Sequence, residues 1–542
     1  MAEAQLSGVG VSPGRASGPV VRVTDSIAEP ASTPGPEDPY AEAELIAPAA
    51  KKVAARLEAM ADAASGDAAA ILTTTAAMAA DPSLVSQAEQ LVTAQRIPAA
   101  RAVYEAAGHF AQALANAGGY MAERVRDVHD VRDRIIAEVL GVAPPGVPEL
   151  STPSVLVARD LAPADTAGLD PAKVLALVTE EGGPTSHTAI LARSIGIPAV
   201  VAVRGALSFE ATALAVDGDV GTVESVDPSA PVVTADVAGA AEWNGRGETG
   251  DGHVVKVLAN VGSPVDARAA ADAGAEGVGL FRTEFCYLDA DDEPSVDAQR
   301  AAYAAVLEPF RGKPVIVRSL DAGADKPLGF LSPEAEPNPA LGVRGVRVAF
   351  DRVGVLDRQL EAIAGATADS GADVSVMAPM VATAEEAAWF ADRVRAAGIA
   401  RAGVMIEVPA AALGAREVLD AVDFVSVGTN DLAQYTFAAD RQLGAVATLN
   451  DPWQPALLRL IGMVGEAAKA TGKPAGVCGE AASDPMLARV LAGLGVTSVS
   501  MNAGSVRAVG AALASVTLAE CERAAEAALA APTAVAARAA AK

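Results

Sequence analysis

The residues most able to do chemistry stand at the ends of short apolar runs in the second half of the chain. Eight such runs, rich in β-branched residues, begin after His253, and most end in a polar or reactive side chain. Those side chains are Asn260, Arg282 with Glu284, Arg318, Glu407, Asn430 with Asp431, Cys478 with Glu480, and Asn502. Because five or more strands with such ends are hard to obtain by chance, the pattern predicts one shared site.

The chemistry of this set favours an anionic substrate and a hard divalent cation. Arg282, Arg318 and Arg441 offer fixed planar donors that suit a phosphate or a carboxylate. Glu407 and Asp431 are hard oxygen ligands, and a pair of carboxylates suits Mg²⁺. Since neither His nor Cys accompanies them, zinc is disfavoured. The alternative is that Glu407 only pairs with an arginine to hold the site together.

Cys478, in "GVCGEAA", adds a group of another kind. A thiol with an ordinary pKa of roughly 8.5 is mostly protonated at neutral pH and can donate a proton. The alternative is a buried, inert cysteine, which is the interpretation kept for Cys286 and Cys521.

His187 is one of four histidines and stands directly after a Gly-Pro turn in "GGPTSHTAILARS". Thr185 or Ser186 can cap the helix that follows, which places His187 in its first turn. The positive helix end disfavours imidazolium, and the exposed N–H groups can hold an anion. A histidine at a helix start can also be a cap or surface residue. The Gly-Gly pair before it, which permits close approach of another molecule, favours a phosphoryl acceptor.

The surrounding sequence predicts the elements that position these residues. Eight strands separated by amphipathic helices imply a (β/α)8 barrel over residues 254–542, rather than an open doubly wound sheet. The Ala-rich residues 26–144 predict helices packed in hairpins, inserted into an α/β domain built from residues 1–25 and 145–228. Residues 229–253 are predicted to be a linker, and the final "AAPTAVAARAAAK" a frayed helix.

Composition narrows the class of protein. The chain has 542 residues and a net charge of −27, which argues against nucleic-acid and anionic-membrane binding. No run approaches the roughly 20 consecutive apolar residues of a membrane span, and no secretory signal is apparent. Three scattered cysteines do not make a disulfide framework. We therefore expect a soluble, cytoplasmic protein.

Six motifs taken together resemble Enzyme I of the bacterial phosphoenolpyruvate-dependent sugar phosphotransferase system. They are "GGPTSHTAILARSIGIPAVV", "GVGLFRTEF", "NPALGVRGVR", "GVMIEVPAA", "VSVGTNDLAQYTFAADR" and "GVCGEAA". The resemblance implies a swivelling phosphohistidine domain at residues 1–25 and 145–228, an inserted HPr-binding helical subdomain at 26–144, and a phosphoenolpyruvate-binding TIM barrel at 254–542. It also implies barrels that pair as homodimers.

The resemblance further implies a role for each matching residue. His187 would carry the phosphoryl group on Nε2 before passing it to HPr, and Thr166 would orient its ring. Phosphoenolpyruvate would be held by Arg282, Arg318, Asn430, Asp431 and Arg441, with Arg344 and Lys326 as further contacts. Glu407 and Asp431 would bind Mg²⁺, and Cys478 would protonate the enolate to give pyruvate.

Two kinds of protein compete with this interpretation. Pyruvate phosphate dikinase and phosphoenolpyruvate synthase share the swivelling histidine domain and the barrel, but both need a large nucleotide-binding domain. Fewer than 190 residues precede His187, and no Gly-rich phosphate loop followed by Lys is present. A non-catalytic phosphoenolpyruvate sensor is the second alternative, which the presence of Cys478, Glu407 and Asp431 disfavours.

Overall fold

A computed structural model of the chain divides into two compact units, Met1–Asp236 and Val237–Lys542. The structure describes residues 5–12, 14–23, 27–63, 67–117, 124–142, 144, 146–148, 150, 152–161, 169–170, 172–183, 188–189, 192, 196–218, 221–227, 243–287, 292–323, 328, 330–331, 336–441 and 443–542.

The predicted helical segment of the first unit is confirmed. Its helices span Pro39–Ala43, Ile46–Ala63, Asp67–Ala79, Pro82–Gln95, Ala99–Ala117 and Val125–Leu140. Asp38 and Asp81 cap the first and fourth of these, each directly before a proline at the first helical position. Gly141, with φ of +65°, ends the last one. The helices share one apolar core that includes Leu57, Leu72 and Ile135.

Strands that precede and follow the helical segment form a mixed sheet. Its strands in the described residues are β1 (Gln5–Ser7), β2 (Val9–Ser12), β3 (Arg15–Arg22), β4 (Ser154–Ala158), β5 (Val174–Thr179), β6 (Ala199–Val201), β7 (Ala213–Asp217) and β8 (Thr222–Ser225). They lie in the order β1-β8-β7-β3-β4-β5-β6-β2, with β3 to β6 parallel. Strand β7 was not predicted from the sequence.

The second unit contains a closed barrel of parallel strands, which confirms the predicted (β/α)8 fold. Its strands are β9 (Lys256–Val261), β10 (Val278–Arg282), β11 (Pro314–Arg318), β12 (Asp373–Ala378), β13 (Ala402–Ile406), β14 (Phe424–Gly428), β15 (Ala475–Cys478) and β16 (Ser498–Met501). β16 pairs with β9 and closes the ring. Each strand coincides with one of the apolar runs, since a barrel strand is covered on both faces.

Helices return the chain from one barrel strand to the next. They span Pro264–Asp272, Val296–Leu307, Val346–Asp351, Val353–Ser370, Ala384–Ala396, Pro409–Leu413, Ala415–Ala421, Thr429–Phe437, Pro455–Thr471, Glu480–Ser483, Pro485–Gly493, Val506–Ala514, Leu518–Ala530 and Ala534–Ala540. Ser263 and Thr383 begin two of them with capping boxes. No helix among the described residues is long and apolar enough to cross a membrane.

Two terminal stretches of this unit pack more closely than their composition suggests. Residues 243–253, the end of the predicted linker, lie on the barrel: the Trp243 ring contacts Gly510, and Gly250 N–H donates to Val516 O at 2.7 Å. The prediction of a frayed C-terminal helix is wrong. In the helix Ala534–Ala540, Arg538 is buried with its guanidinium 5.4 Å from the centre of the Trp453 ring.

Candidate active site

The carboxyl ends of five barrel strands, β10, β11, β13, β14 and β15, bring the candidate residues together. Arg282 and Arg318 end β10 and β11 and lie opposite each other in the strand register. Glu407 follows β13 directly, Cys478 ends β15, and Asn430 with Asp431 begins the helix after β14. Because all parallel strands of a barrel point the same way, these side chains share one face.

Six charged side chains at this face form an alternating series of ion pairs, which we call the charge ladder. It runs Glu284, Arg318, Asp321, Arg344, Asp431, Arg441. Arg318 Nη2 contacts Glu284 Oε1, and the other four contacts are 3.2 to 3.5 Å long. Alternation keeps each buried charge beside an opposite one, which fixes the three guanidinium groups in place. Sequence reasoning assigned no role to Asp321, although it stands three residues after Arg318 in "RSLDAG".

Glu407 is held beside the ladder in a strained, enclosed position. Its side chain is buried, and Oε1 accepts a hydrogen bond of 2.7 Å from the backbone N–H of Met380. Met380 adopts a φ of +59°, unusual for a long side chain, so local strain accompanies this contact. On the other side, a Cβ at Gly428 would lie 2.8 Å from Glu407 Oε2. Glycine is therefore needed for the carboxylate to sit there.

Burial and neighbouring acids change the protonation of Glu407. Burial raises the pKa of its carboxyl to about 7, the negative charges of Asp431 and Asp321 act in the same direction, and Arg318 and Arg344 oppose them. Burial by itself would lower the pKa of the Arg318 guanidinium. The negative charges of Glu284, Asp321 and Glu407 outweigh that effect, so the pKa lies above its ordinary value. The Arg318 guanidinium therefore stays charged. The ionised form of Glu407, by contrast, would be stabilised by a cation beside it.

Glu407 and Asp431 are the donors that could hold a metal ion. The described residues contain no group of three or more His, Cys, Asp or Glu that could do so alone. Two hard carboxylates fit Mg²⁺, which takes few protein ligands and completes its shell with water and substrate oxygens. The raised pKa of Glu407, to which the negative charge of Asp431 contributes, is the electrostatic counterpart of a cation site.

Cys478 lies inside the barrel with its thiol in a hydrogen-bonded position. Burial raises the pKa of the thiol to about 11. The hydrogen bond from Ser426 and the positive charges of Arg318 and Arg282 lower this pKa, whereas the negative charge of Glu407 raises it. Ser426 Oγ donates to Sγ at 3.7 Å, and Sγ–H donates to Val427 O at 3.4 Å. The group is therefore a protonated thiol at neutral pH. Ser426 is a neighbour that sequence reasoning did not identify.

A buried polar network supports the ends of β10 and β11 from behind. Thr283 Oγ1 donates to Arg318 O at 2.9 Å and accepts from Gln359 Nε2 at 3.1 Å. Gln359 Oε1 accepts from Leu320 N–H at 3.0 Å, and Gln359 Nε2 also reaches the Tyr303 hydroxyl at 3.2 Å. These bonds tie the two arginine-bearing strand ends to helices of the outer ring.

Four further predicted residues are Asn430, Thr166, His187 and Lys326. Asn430 lies against the next strand end, where a Cβ at Gly479 would be 3.0 Å from its Oδ1. Thr166, His187 and Lys326 lie outside the described residues. The residue after His187, Thr188, is buried and donates from Oγ1 to Asp160 Oδ1 at 3.1 Å.

Three family models match successive parts of the chain. They describe the N-terminal domain of PEP-utilising enzymes (residues 7–124), their mobile domain (150–221) and their PEP-binding domain (240–518). A phosphoenolpyruvate-protein phosphotransferase of Streptomyces coelicolor is 54% identical over 100% of this chain and 99% of its own. Proteins of the same name from Haloferax volcanii and Lactococcus lactis subsp. lactis are 42% identical (81% of this chain, 80% of theirs) and 40% identical (79% of each).

Proposed function

The chain belongs to the PEP-utilising enzymes and, within them, to Enzyme I, the phosphoenolpyruvate-protein phosphotransferases, and from this premise we propose its reaction in detail. The protein takes the phosphoryl group of phosphoenolpyruvate onto Nε2 of His187, passes it to a histidine of HPr, and releases pyruvate as the first step of sugar uptake. The observation that carries this proposal is the charge ladder, a row of preset guanidinium groups at the barrel face.

Phosphoenolpyruvate carries a phosphate and a carboxylate, and the ladder suits both. Arg282, Arg318, Arg441 and Asn430 bind these groups, with Asp431 and Arg344 beside them. Arg318 Nε is buried without a hydrogen-bond partner among the described residues, so a bound anion would satisfy it. Phosphoryl transfer needs mainly positioning and neutralisation of charge, which preset arginines supply at little reorganisation cost.

Glu407 and Asp431 hold Mg²⁺ in this proposal. When bound, the ion neutralises charge on the phosphate and on the enolate oxygen. The raised pKa of Glu407 supports the assignment, because a buried carboxyl between two acids is most stable when a cation joins it.

Cys478 supplies the proton that completes the reaction. The P–O bond of phosphoenolpyruvate breaks as the N–P bond to His187 forms, which leaves the enolate of pyruvate. The Cys478 thiol then gives its proton to the methylene carbon, and the thiolate is reprotonated from water. A thiol with a pKa of about 11 is protonated at neutral pH and can transfer its proton to the enolate once that forms. The Ser426 hydroxyl is placed to donate a hydrogen bond to the resulting thiolate.

The first unit acts as the phosphoryl carrier in this proposal. Residues 1–25 and 145–228 form the phosphohistidine domain, in which Thr166 orients His187, and residues 26–144 receive HPr. The hinge of this proposal lies in the linker predicted over residues 229–253, of which residues 243–253 pack on the barrel. The barrels pair as homodimers.

A labelling experiment with HPr tests the proposal. The full chain is mixed with Mg²⁺, HPr and phosphoenolpyruvate labelled in its phosphoryl group, and pyruvate is measured in parallel. We expect label on His187 first and on HPr next, with one pyruvate per phosphoryl group. ATP with pyruvate should give no label, which separates this enzyme from a dikinase. Binding of phosphoenolpyruvate without turnover would instead indicate a sensor.

A further inference from the structure

Asp321 stands at the centre of the charge ladder, where it contacts two arginines at once. Resting on the proposed function, we propose that Asp321 is a positioning residue, which fixes the spacing and orientation of the Arg318 and Arg344 guanidinium groups for the phosphoryl group of the substrate.

The contacts of Asp321 are those of a shared counter-ion. Its side chain is 0% exposed, and Oδ2 lies 3.2 Å from Arg318 Nη1. Arg344 Nη2 lies 3.4 Å from both carboxylate oxygens, so that this pair is nearly symmetric. The other ladder acids, Glu284 and Asp431, contact Arg318 and Arg344 from the outer sides. Of the three, Asp321 is the acid that joins the two arginines.

If Asp321 lost its charge, each of the two arginines would still have another carboxylate within contact distance. Arg318 would be drawn towards Glu284, and Arg344 towards Asp431 and the Tyr435 hydroxyl, which Arg344 Nη1 already reaches at 3.2 Å. The two like-charged groups would then move apart, because the Asp321 carboxylate would no longer offset their repulsion. Asp321 thus holds them together before substrate arrives.

The backbone around Asp321 is held by bonds that do not involve its carboxylate. Ser319 N–H donates to Met377 O at 2.9 Å, and Gly345 N–H donates to Ala322 O at 2.9 Å. Gly323 and Arg344 also form an antiparallel bridge. Removing the charge of Asp321 should therefore change the arginines more than the fold. Because the carboxylate is enclosed, it acts on the substrate through those arginines.

The substitution Asp321→Asn tests this role, since asparagine has the same shape and keeps one acceptor. Its NH₂ group would face one guanidinium, donor against donor, so one charge-assisted bond is lost. Losing such a bond corresponds to about a ten- to hundredfold rise in KM for phosphoenolpyruvate, with a smaller change in kcat. Asp369→Asn is the matched control, because Asp369 pairs with Arg300 on the surface, 2.6 Å away. It should leave KM unchanged.

A double-mutant cycle separates positioning from a general loss of structure. In an Arg344→Gln background, Asp321→Asn should raise KM by a smaller factor than in wild type, because one of the two arginines that it positions is gone. Equal effects in both backgrounds, an unchanged KM in Asp321→Asn, or a loss of kcat that only follows the unfolded fraction would each overturn the proposal. If Asp321→Asn alone does not fold, the double variant is compared with Arg344→Gln, and a further rise in KM of about a hundredfold or more, the full effect expected with both arginines present, refutes the role.

The wild-type protein distinguishes this inference from the function on which it rests. Wild type that takes no phosphoryl group from phosphoenolpyruvate disproves the proposed function itself. Active wild type with an unaffected Asp321→Asn variant disproves only the role of Asp321.

Discussion

Replacing Glu407 by glutamine should stabilise the metal-free protein while it abolishes activity. Glutamine has nearly the same shape, and its Oε1 can still accept the hydrogen bond from Met380 N–H. It removes, however, a carboxyl that ionises in a buried site near Asp431 and Asp321. If Glu407 serves catalysis rather than stability, its negative charge should lower the free energy of unfolding in the absence of a cation.

The pKa of Glu407 gives the size and the sign of this effect. A rise from 4.5 to about 7 on folding corresponds to roughly 3 kcal/mol of stability. Between these values the folded protein binds more protons than the unfolded one, so stability falls as pH rises through the window from about 4.5 to 7. Above this pH window the ionised Glu407 destabilises the folded protein by the full amount, and below the window it does not destabilise it.

Scanning calorimetry of the full chain in EDTA, at pH 5 and at pH 8, measures the effect. We expect the barrel transition of Glu407→Gln to lie several degrees above that of wild type at pH 8, and the difference to shrink strongly at pH 5. Titrating groups that do not interact with Glu407 are common to both proteins and cancel. A variant that is less stable than wild type at pH 8, or a difference that does not depend on pH, would refute the reasoning.

Three further substitutions probe the thiol and the C-terminal helix. Cys478→Ala should bind phosphoenolpyruvate and label His187 normally but stop pyruvate release; normal turnover would exclude the thiol as the acid. Ser426→Ala removes the donor to the thiolate, so kcat should fall about tenfold with KM unchanged, measured by steady-state kinetics. Arg538→Ala should lower the free energy of unfolding by about 1–2 kcal/mol, measured by urea titration. An unchanged free energy of unfolding would show that this helix is frayed, as its composition predicts.

The barrel and its candidate site could be predicted from the sequence because both follow from a local pattern. A strand buried on both faces is a short apolar run, and its carboxyl end is where the next polar residue stands. Arg282, Arg318, Glu407 and Cys478 all obey this rule. Strand β7, "ALAVD", is not predicted because alanine and aspartate, three of its five residues, are depleted in strands.

Residues that act on other side chains could not be predicted in this way. Asp321 and Ser426 act through contacts that include Arg344 and Cys478, which are 23 and 52 residues away in the chain. The C-terminal helix was judged by composition alone, although a single arginine, Arg538, fixes it over Trp453. Long-range pairing of this kind leaves no periodicity to detect.

The most direct test of the account is the position of the phosphoryl group after the full chain meets labelled phosphoenolpyruvate and Mg²⁺. The account predicts one acid-labile phosphoryl group per chain on Nε2 of His187, lost in His187→Ala and much slower to form in Arg318→Ala, by peptide mapping. A folded, magnesium-loaded wild-type protein that carries no label, or carries it on another residue, would contradict the account.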